Sequence, residues 1–358
     1  MSEKKLSAYQ IASAYIGVTI GAGFASGQEV LQFFSFFGPA SFAAILLASF
    51  LFSFFGILIL NSGARLKANS HREVVTHAAG KIAGVAVDII ITFFLFGSFT
   101  AMLAGAGASI NQQFGFSPLY GAVFMASIAL ATVLFGLSGI VSALSFLVPV
   151  MIAGIIAVFG AVLVSYPSEF RSIGLFAQPW EAVLPFWPLS AMTYVSYNLV
   201  VAVAILGPMG KLAGTRADIR KGALAGGTGL GIGILAINLS MLLIPESFGY
   251  SIPMSYVAGR FSPLVGSGYT AVLLAAIYTT AVGGLYGFSA RLTDPASTRF
   301  KMLAPIITVA AIVASIIGFT NLVRFMYAGV GIAGFILLGG LAYEYVRWRL
   351  HPGTNPLT

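Results

Sequence analysis

The sequence predicts an all-α membrane protein of ten transmembrane helices, arranged as two inverted repeats of five, with helices 1 and 6 broken. Composition, segment spacing and segment number lead to this fold. Of 358 residues, 58% are hydrophobic and 8% are charged, a balance typical of a polytopic membrane protein. An odd number of spans in each half places the halves in opposite orientations, as in an inverted-topology repeat.

The apolar segments define the spans. A span needs about 20 apolar residues, and residues 1–358 accommodate ten in a single transmembrane domain: 8–37, 39–62, 82–110, 117–137, 139–166, 181–208, 219–245, 264–290, 302–320 and 324–346. The first repeat is therefore expected over 8–166 and the second over 181–346.

The basic residues predict the orientation. With the N-terminus inside, fifteen of the 18 Lys and Arg residues fall on the cytoplasmic side, and Arg171, Arg260 and Arg324 fall outside. This positive-inside bias places both termini in the cytoplasm. The net charge of +8 is thus explained by topology, and no nucleic-acid partner is expected.

Catalytic and metal motifs are missing from the sequence. There are no cysteines and three histidines, which excludes disulfides and thiolate sites. His71, His77 and His351 lie in or near the predicted cytoplasmic loops. No H-E-x-x-H, G-x-S-x-G or P-loop pattern occurs, so an enzyme is not expected.

Span 1 contains four glycines at mid-depth: Gly17, Gly21, Gly23 and Gly27. Each costs a helix interior about 1 kcal/mol relative to alanine, so the helix is expected to unwind there. Unwound backbone at membrane depth occurs where it is buried in protein or lines a cavity. A broken helix of this kind points to the binding site of a transporter.

Span 6 corresponds to span 1 in the repeat. It carries Pro185 and Pro188 and then a polar cluster over 194–198, where a second break is expected. The alternative is a continuous helix kinked at Pro188. Farther along, residues 246–263 are expected to form a hairpin or short helix over the extracellular mouth or to serve merely as a connector.

This organisation resembles the LeuT fold of the amino acid–polyamine–organocation superfamily. The string over residues 20–30, IGAGFASGQEV, more specifically resembles the YkvI-type bacterial membrane proteins, which are regarded as amino acid permeases. The fold resemblance covers nearly the whole chain, whereas the motif resemblance is confined to span 1 and, more loosely, span 8. Spans 11 and 12 of many relatives are missing, which leaves the oligomeric state open.

The resemblance implies a sodium ion as coupling ion. Carbonyl oxygens at a helix C-terminus suit a hard cation, and LeuT-like symporters combine two of them with hydroxyls on span 8. The implied ligands here are Gly17, Ile20, Ala276, Thr279 and Thr280. Alternatively, the two threonines bond to their own helix. Span 5 contains no ionisable residue over 138–165, which favours sodium over a lysine-based proton mechanism.

The substrate is expected between the broken helices. Free N–H groups near Gly27 and Asn198 favour a carboxylate, and small residues leave room for a compact molecule. The candidate substrate-binding residues are Thr19, Gly21, Ala22, Gly23, Phe24, Ser26, Thr193, Tyr194, Ser196, Tyr197 and Asn198. For the aromatic members, packing is the alternative.

Two acidic residues, Glu29 and Asp88, fall within predicted spans. An intramembrane carboxylate is a functional hypothesis by default. Each also has a structural interpretation: Ser26 and Glu29 fit a capping box, and Asp88 lies two turns from Lys81. An ionised Glu29 beside the pocket favours a substrate that also carries a positive group. By resemblance, Glu29 and Arg324 are expected to form an outer gate.

The sequence therefore predicts a secondary transporter that imports an amino acid or related small amine with sodium by alternating access. One alternative is proton coupling through Glu29 or Asp88. Another is a membrane ligand sensor without transport, as in some relatives. The expected partners are the lipid bilayer and a small-molecule substrate.

Overall fold

The computed structural model describes residues 5–135, 140–169, 177–295 and 297–350, with only the backbone described at 135, 140–148, 348 and 349. Arg171 and His351 lie outside these ranges. The described elements are α1 (Ala8–Thr19), α2 (Ala22–Ser26), α3 (Gln28–Phe33), α4 (Ala40–Leu66), α5 (His71–Phe114), α6 (Pro118–Phe135), α7 (Ile140–Ser165), α8 (Trp187–Leu212), α9 (Arg216–Leu243), α10 (Pro253–Gly259), α11 (Pro263–Leu292), α12 (Thr298–Ser315), α13 (Phe319–Asn321), a π-helical turn (Leu322–Tyr327) and α14 (Ala328–Leu350).

Seven helical stretches among the described residues are long and apolar enough to cross a membrane. Two further apolar stretches, Pro118–Leu134 and Pro149–Ser165, are shorter. Several helix starts are fixed by a hydroxyl side chain that accepts a backbone N–H, as at Ser7, Ser262 and Ser297, because such caps satisfy the free donors of the first turn. The chain is thus an all-helical membrane protein.

The bundle is held together by close backbone packing around α4. A Cβ at Gly227 of α9 would lie 2.5 Å from the Ser53 nitrogen, and one at Gly210 of α8 would lie 2.8 Å from the Ala64 nitrogen. Small residues let membrane helices approach this closely. As a result α4 packs against both α8 and α9.

Helix α5 differs from the predicted span 82–110 because it begins at His71. Gly80 has φ 85° and ψ 170°, a conformation that only glycine adopts readily. It divides α5 into residues 71–79 and 81–114. The first part folds back along the second, since a Cβ at Gly84 would lie 2.7 Å from the Thr76 hydroxyl.

Helix α8 is continuous over Trp187–Leu212, so the predicted break over 194–198 is wrong. The region has no glycine, and the Asn198 side-chain amide donates to the Tyr194 carbonyl at 3.0 Å, a bond within the helix that keeps its polar group satisfied. Pro188 lies in the first turn of α8, where proline is tolerated.

Residues 246–263 contain a short helix, as one of the sequence alternatives had it. Helix α10 contacts α2, α9 and α11, and Met254 and Val257 on it are fully buried. The element is therefore packed into the bundle beside the first span.

Candidate functional site

The first span is interrupted at Ile20 and Gly21, between α1 and α2. Both residues are extended, with ψ 94° and −175°. The Gly21 N–H donates to the Thr19 carbonyl at 3.1 Å, so the Gly17 carbonyl does not receive the i+4 bond of a continuous helix. The hydrogen bonds of α2 begin with the Ala25 N–H, which donates to Gly21 at 3.1 Å. A Cβ built at Gly21 would meet no atom within 4 Å.

A second interruption lies at Gly27, between α2 and α3. Gly27 has φ +83°, and a Cβ there would lie 2.8 Å from the Met254 side chain. The Gln28 N–H donates to the Ser26 hydroxyl at 3.1 Å. The expected capping box, in which Glu29 reaches back to Ser26, is therefore wrong, because the left-handed backbone at Gly27 turns α3 away.

The Glu29 side chain folds back over α2. It is 5% exposed, and its carboxylate accepts a hydrogen bond from the Tyr197 hydroxyl of α8. A Cβ built at Gly23 would overlap the Glu29 Oε1, so a residue with a side chain at position 23 would displace the carboxylate. Among the described residues, no Lys, Arg or His side chain forms an ion pair with Glu29.

Aromatic rings surround Tyr197, the hydrogen-bond donor to Glu29. The ring centroids of Phe33, Phe94, Tyr194 and Tyr327 lie 5.9, 6.2, 5.4 and 5.1 Å from its own. These rings come from α3, α5, α8 and the π-helical turn. The Tyr194 hydroxyl is buried without a hydrogen-bond partner in the described structure. The result is a buried cluster of aromatic rings with a carboxylate beside it.

Two predicted substrate residues of α8 lie on another face of the helix. A Cβ at Gly334 of α14 would lie 2.6 Å from the Ser196 hydroxyl, and one at Gly331 would lie 3.1 Å from the Thr193 carbonyl carbon. Thr193 and Ser196 therefore pack against α14 and not toward the interrupted span.

The remaining predicted substrate residues are divided between the break and the surrounding helices. The Thr19 hydroxyl donates to the carbonyl four residues earlier at 3.0 Å, and the Ser26 hydroxyl donates within α2 at 2.6 Å. The ring of Phe24 points at α9, where a Cβ at Gly233 would lie 3.1 Å from it. The structure thus brings together Gly23, Glu29, Tyr194 and Tyr197.

The predicted sodium-ligand hydroxyls on α11 both bond to a carbonyl of their own helix, as the alternative interpretation of the sequence had it. The Thr279 and Thr280 hydroxyls donate to the Ala276 carbonyl at 2.9 and 3.0 Å, as residues at i+3 and i+4 can. Each hydroxyl oxygen keeps its lone pairs for a cation. Helix α11 contacts α2, and α1 ends with the carbonyls of Gly17 and Ile20. These neutral oxygens are the donor type that a hard cation prefers, so the residues fit a sodium ion.

The predicted gate pair does not form in this structure. Arg324 lies 4.0 Å from the Glu181 carboxylate and stacks 5.8 Å above the Phe325 ring. Glu29 bonds to Tyr197 instead. Although α3 contacts the π-helical turn, the Glu29 side chain points back along the first span. The pairing of Glu29 and Arg324 in the occluded state therefore stays a prediction.

Asp88 lies in an ion cluster at the basic end, which we define as the end of the bundle carrying Arg65, Arg72 and Arg291. Its carboxylate lies 2.7 Å from Arg72, 3.0 Å from Arg291 and 3.2 Å from His71. The expected partner Lys81 is not among these contacts, because the turn at Gly80 folds residues 71 and 72 onto Asp88.

A second ion cluster at the basic end contains a carboxylate that the sequence reasoning missed. Glu344 of α14 is 7% exposed; it binds Arg65 of α4 and lies 2.8 Å from His77. Glu344 falls inside the predicted span 324–346, so its position in an apolar segment was the available signal. Within the described residues, no group of three or more His, Cys, Asp or Glu could hold a metal ion.

Comparison with known sequences gives two bacterial relatives, whereas no protein-family profile matches the chain. The membrane protein YkvI of Bacillus subtilis (strain 168) is 32% identical over 346 residues, covering 95% of this chain and 97% of the relative. YyaD of the same organism is 30% identical over 333 residues, covering 90% and 92%. The chain belongs to the YkvI family. The sequence-based resemblance is thereby confirmed.

Solved structures place this YkvI-family chain in the LeuT fold. A Na⁺-coupled sialic acid symporter aligns with a TM-score of 0.62 and 11% identity over 94% of this chain and 79% of its own. MhsT in complex with L-phenylalanine aligns with a TM-score of 0.61 and 18% identity over 94% of this chain and 89% of its own. Inward-facing Mhp1 aligns with a TM-score of 0.57 and 17% identity over 95% of this chain and 74% of its own. The proteins that this chain resembles are membrane proteins and transporters rather than enzymes.

Proposed function

We propose that this YkvI-family protein is a secondary active transporter that imports an amino acid or related small amine together with sodium. The observation that carries the proposal is the interrupted first span. Its extended backbone at Ile20 and Gly21 interrupts an apolar segment and leads into α2, which contacts α11. Interrupted helices of this kind form the binding sites of secondary transporters. The LeuT-fold neighbours include a Na⁺-coupled symporter.

The proposed topology has ten spans. The described helices supply the seven long spans and two shorter ones, and the interrupted α1–α3 segment supplies another. We assign residues 8–166 and 181–346 to the two inverted repeats. The positively charged basic end then faces the cytoplasm, with both termini on that side of the bacterial cytoplasmic membrane.

The proposed sodium site joins the end of α1 to α11. Carbonyls of Gly17 and Ile20 would supply two oxygens, and Ala276, Thr279 and Thr280 would supply the rest. The lost helical hydrogen bond at Gly17 supports this assignment, since that carbonyl is free to bind a cation. The ion would neutralise the partial negative charge at the C-terminal end of α1. Its binding would couple the closure of the transporter around the substrate to the sodium gradient.

Proton coupling is a second candidate, favoured by the buried Glu29 carboxylate. A carboxylate without a cationic partner in a dry interior is readily protonated. Asp88 fits this role less well, because Arg72, Arg291 and His71 already hold its charge.

Uptake into proteoliposomes tests the proposal. The vesicles receive labelled amino acids and amines under an inward sodium gradient, an inward proton gradient or neither. We expect accumulation of one substrate class with sodium outside, and loss of accumulation when choline replaces sodium. Accumulation with protons alone would select the second candidate. Binding without uptake or counterflow under any gradient would identify a ligand sensor instead.

A further inference from the structure

We propose that Glu29 is the binding site for the positively charged nitrogen of the substrate, so that the substrate is a small alkylammonium compound, either an amine or an amino acid. The inference rests on the proposed transport function and names its substrate class. The Glu29 carboxylate would bind the ammonium group, and the aromatic cluster of Phe33, Phe94, Tyr194, Tyr197 and Tyr327 would contact its alkyl part.

An ionised Glu29 requires a counter-cation. A buried carboxylate is stable when it is paired or otherwise neutralised. In the part of the chain that the structure describes, the partner of this carboxylate is a neutral hydroxyl, that of Tyr197. Two other carboxylates in long helices, Asp88 and Glu344, each have Arg and His partners. At Glu29 a cationic ligand would supply the positive charge in place of the proton that neutralises the empty site.

The surroundings favour an ammonium group over a sodium ion. Sodium prefers a shell of hard oxygens, and the Glu29 neighbourhood is aromatic: Tyr197 alone contacts four further rings at 5.1–6.2 Å. An alkylammonium ion binds a carboxylate with its N–H groups, while its charge and methylene groups contact aromatic faces. The oxygen-rich environment lies elsewhere, at Ala276, Thr279 and Thr280.

The first-span glycines place the carboxylate at the break. Gly23 accommodates the Glu29 Oε1 in the space where a side chain would begin. Two residues earlier, Gly21 faces open space, with no atom within 4 Å of a built Cβ. The carboxylate thus lies beside the open, extended segment through which a substrate would contact the first span.

Direct binding tests the inference. The purified full chain is titrated calorimetrically with n-propylammonium, alanine, propionate and 1-propanol, in sodium and in choline buffer. We expect propylammonium and alanine to bind, and propanol and propionate not to bind. In Glu29→Gln, which keeps the size of the side chain, the affinity for both ammonium probes should fall at least 100-fold.

A glycine pair provides the matched control. Gly23→Ala should weaken ammonium binding at least tenfold because the methyl group displaces the carboxylate. Gly339→Ala, on the exposed face of α14 where a built Cβ meets no atom within 4 Å, should bind within threefold of the parent. Size-exclusion elution and thermal midpoint verify that each variant is folded, and if Glu29→Gln is not, the Gly23 and Gly339 pair decides.

Three results would overturn the inference: unchanged ammonium affinity in Glu29→Gln, binding of sodium at Glu29 in place of the ammonium probes, or no binding of either ammonium probe. Transport is judged separately. Sodium-driven uptake that survives Glu29→Gln would refute the ammonium site and keep the proposed transport function. Glu29-dependent binding without uptake would keep the ammonium site and refute the transport function.

Discussion

Glu29 and Glu344 of the basic end are similarly buried but have opposite surroundings. Glu29 and Glu344 are both buried, at 5% and 7% exposure. Glu344 binds Arg65 and His77, whereas Glu29 binds a tyrosine hydroxyl. A carboxylate paired with Arg or His side chains cross-links helices. A carboxylate without such partners can bind a cation reversibly, and substitution of this carboxylate should affect ligand binding more than stability.

The two ion clusters at the basic end connect the same short segment to different helices. Residues 71–79 carry His71 and Arg72 toward Asp88 and carry His77 toward Glu344. Arg291 of α11 joins the first cluster and Arg65 of α4 joins the second. These ion pairs link helices at the end of the bundle that we assign to the cytoplasm.

The largest expected effect is the loss of uptake on replacing Glu29. Glu29→Gln should lower the initial rate of uptake in proteoliposomes at least 100-fold, because the ammonium group loses its counter-charge. Its thermal midpoint should stay at or above that of the parent, since an uncompensated buried charge is removed. A variant that transports normally but melts early would show that Glu29 is structural.

Asp88→Asn should act in the opposite way, on stability. It leaves Arg72 and Arg291 without a carboxylate, and we expect the free energy of unfolding to fall by about 2 kcal/mol. Denaturation in detergent measures the change. Glu73→Gln is the control, because Glu73 bonds only the exposed Asn69 N–H in this segment and should change stability by less than about 0.5 kcal/mol. Equal effects would refute the structural role of the cluster.

Thr279→Ala and Thr280→Ala should each weaken sodium affinity about tenfold, or roughly 1.4 kcal/mol, because one oxygen of the proposed site is lost. The sodium dependence of uptake gives the measurement. Thr308→Ala on α12 removes a similar buried hydroxyl, bonded to its own helix at 2.8 Å, and should leave sodium affinity unchanged. A sodium dependence that neither α11 variant alters would eliminate the site.

The smallest effect is expected at Arg324. Its contact with Glu181 is long and half-exposed, so a double-mutant cycle with Arg324→Gln and Glu181→Gln should give a coupling below about 0.5 kcal/mol in stability. A second cycle, with Arg324→Gln and Glu29→Gln, should give no coupling in stability. A coupling of about 1 kcal/mol or more between Glu29 and Arg324 in uptake would show that the two meet in another state of the transport cycle.

The interruption of the first span could be predicted from the sequence, because glycine destabilises a helix interior wherever it occurs, independently of tertiary contacts. Gly21 and Gly27 mark its two ends. The same reasoning failed at residues 194–198, where polar side chains without glycine keep the helix continuous. Prolines alone did not decide the outcome, since Pro188 begins α8 and Pro208 lies inside it.

The site was less predictable because side-chain direction depends on tertiary packing. The identity of Glu29 was evident from the sequence, but its partner Tyr197 lies 168 residues away and became visible only once α3 and α8 were placed. Thr193 and Ser196 directly precede Tyr194 and Tyr197 in the sequence, yet they pack against α14. Likewise, the turn at Gly80 decided that Asp88 meets Arg72 instead of Lys81.

Accessibility of a single cysteine at the interruption tests alternating access most directly. The chain contains no cysteine, and Gly21→Cys places a thiol where the structure has open space. In oriented membranes, the account predicts that a membrane-impermeant thiol reagent reaches this cysteine from both sides, with sodium favouring the outside and bound ammonium substrate blocking both. Labelling from one side only, unchanged by sodium and by substrate, would contradict it.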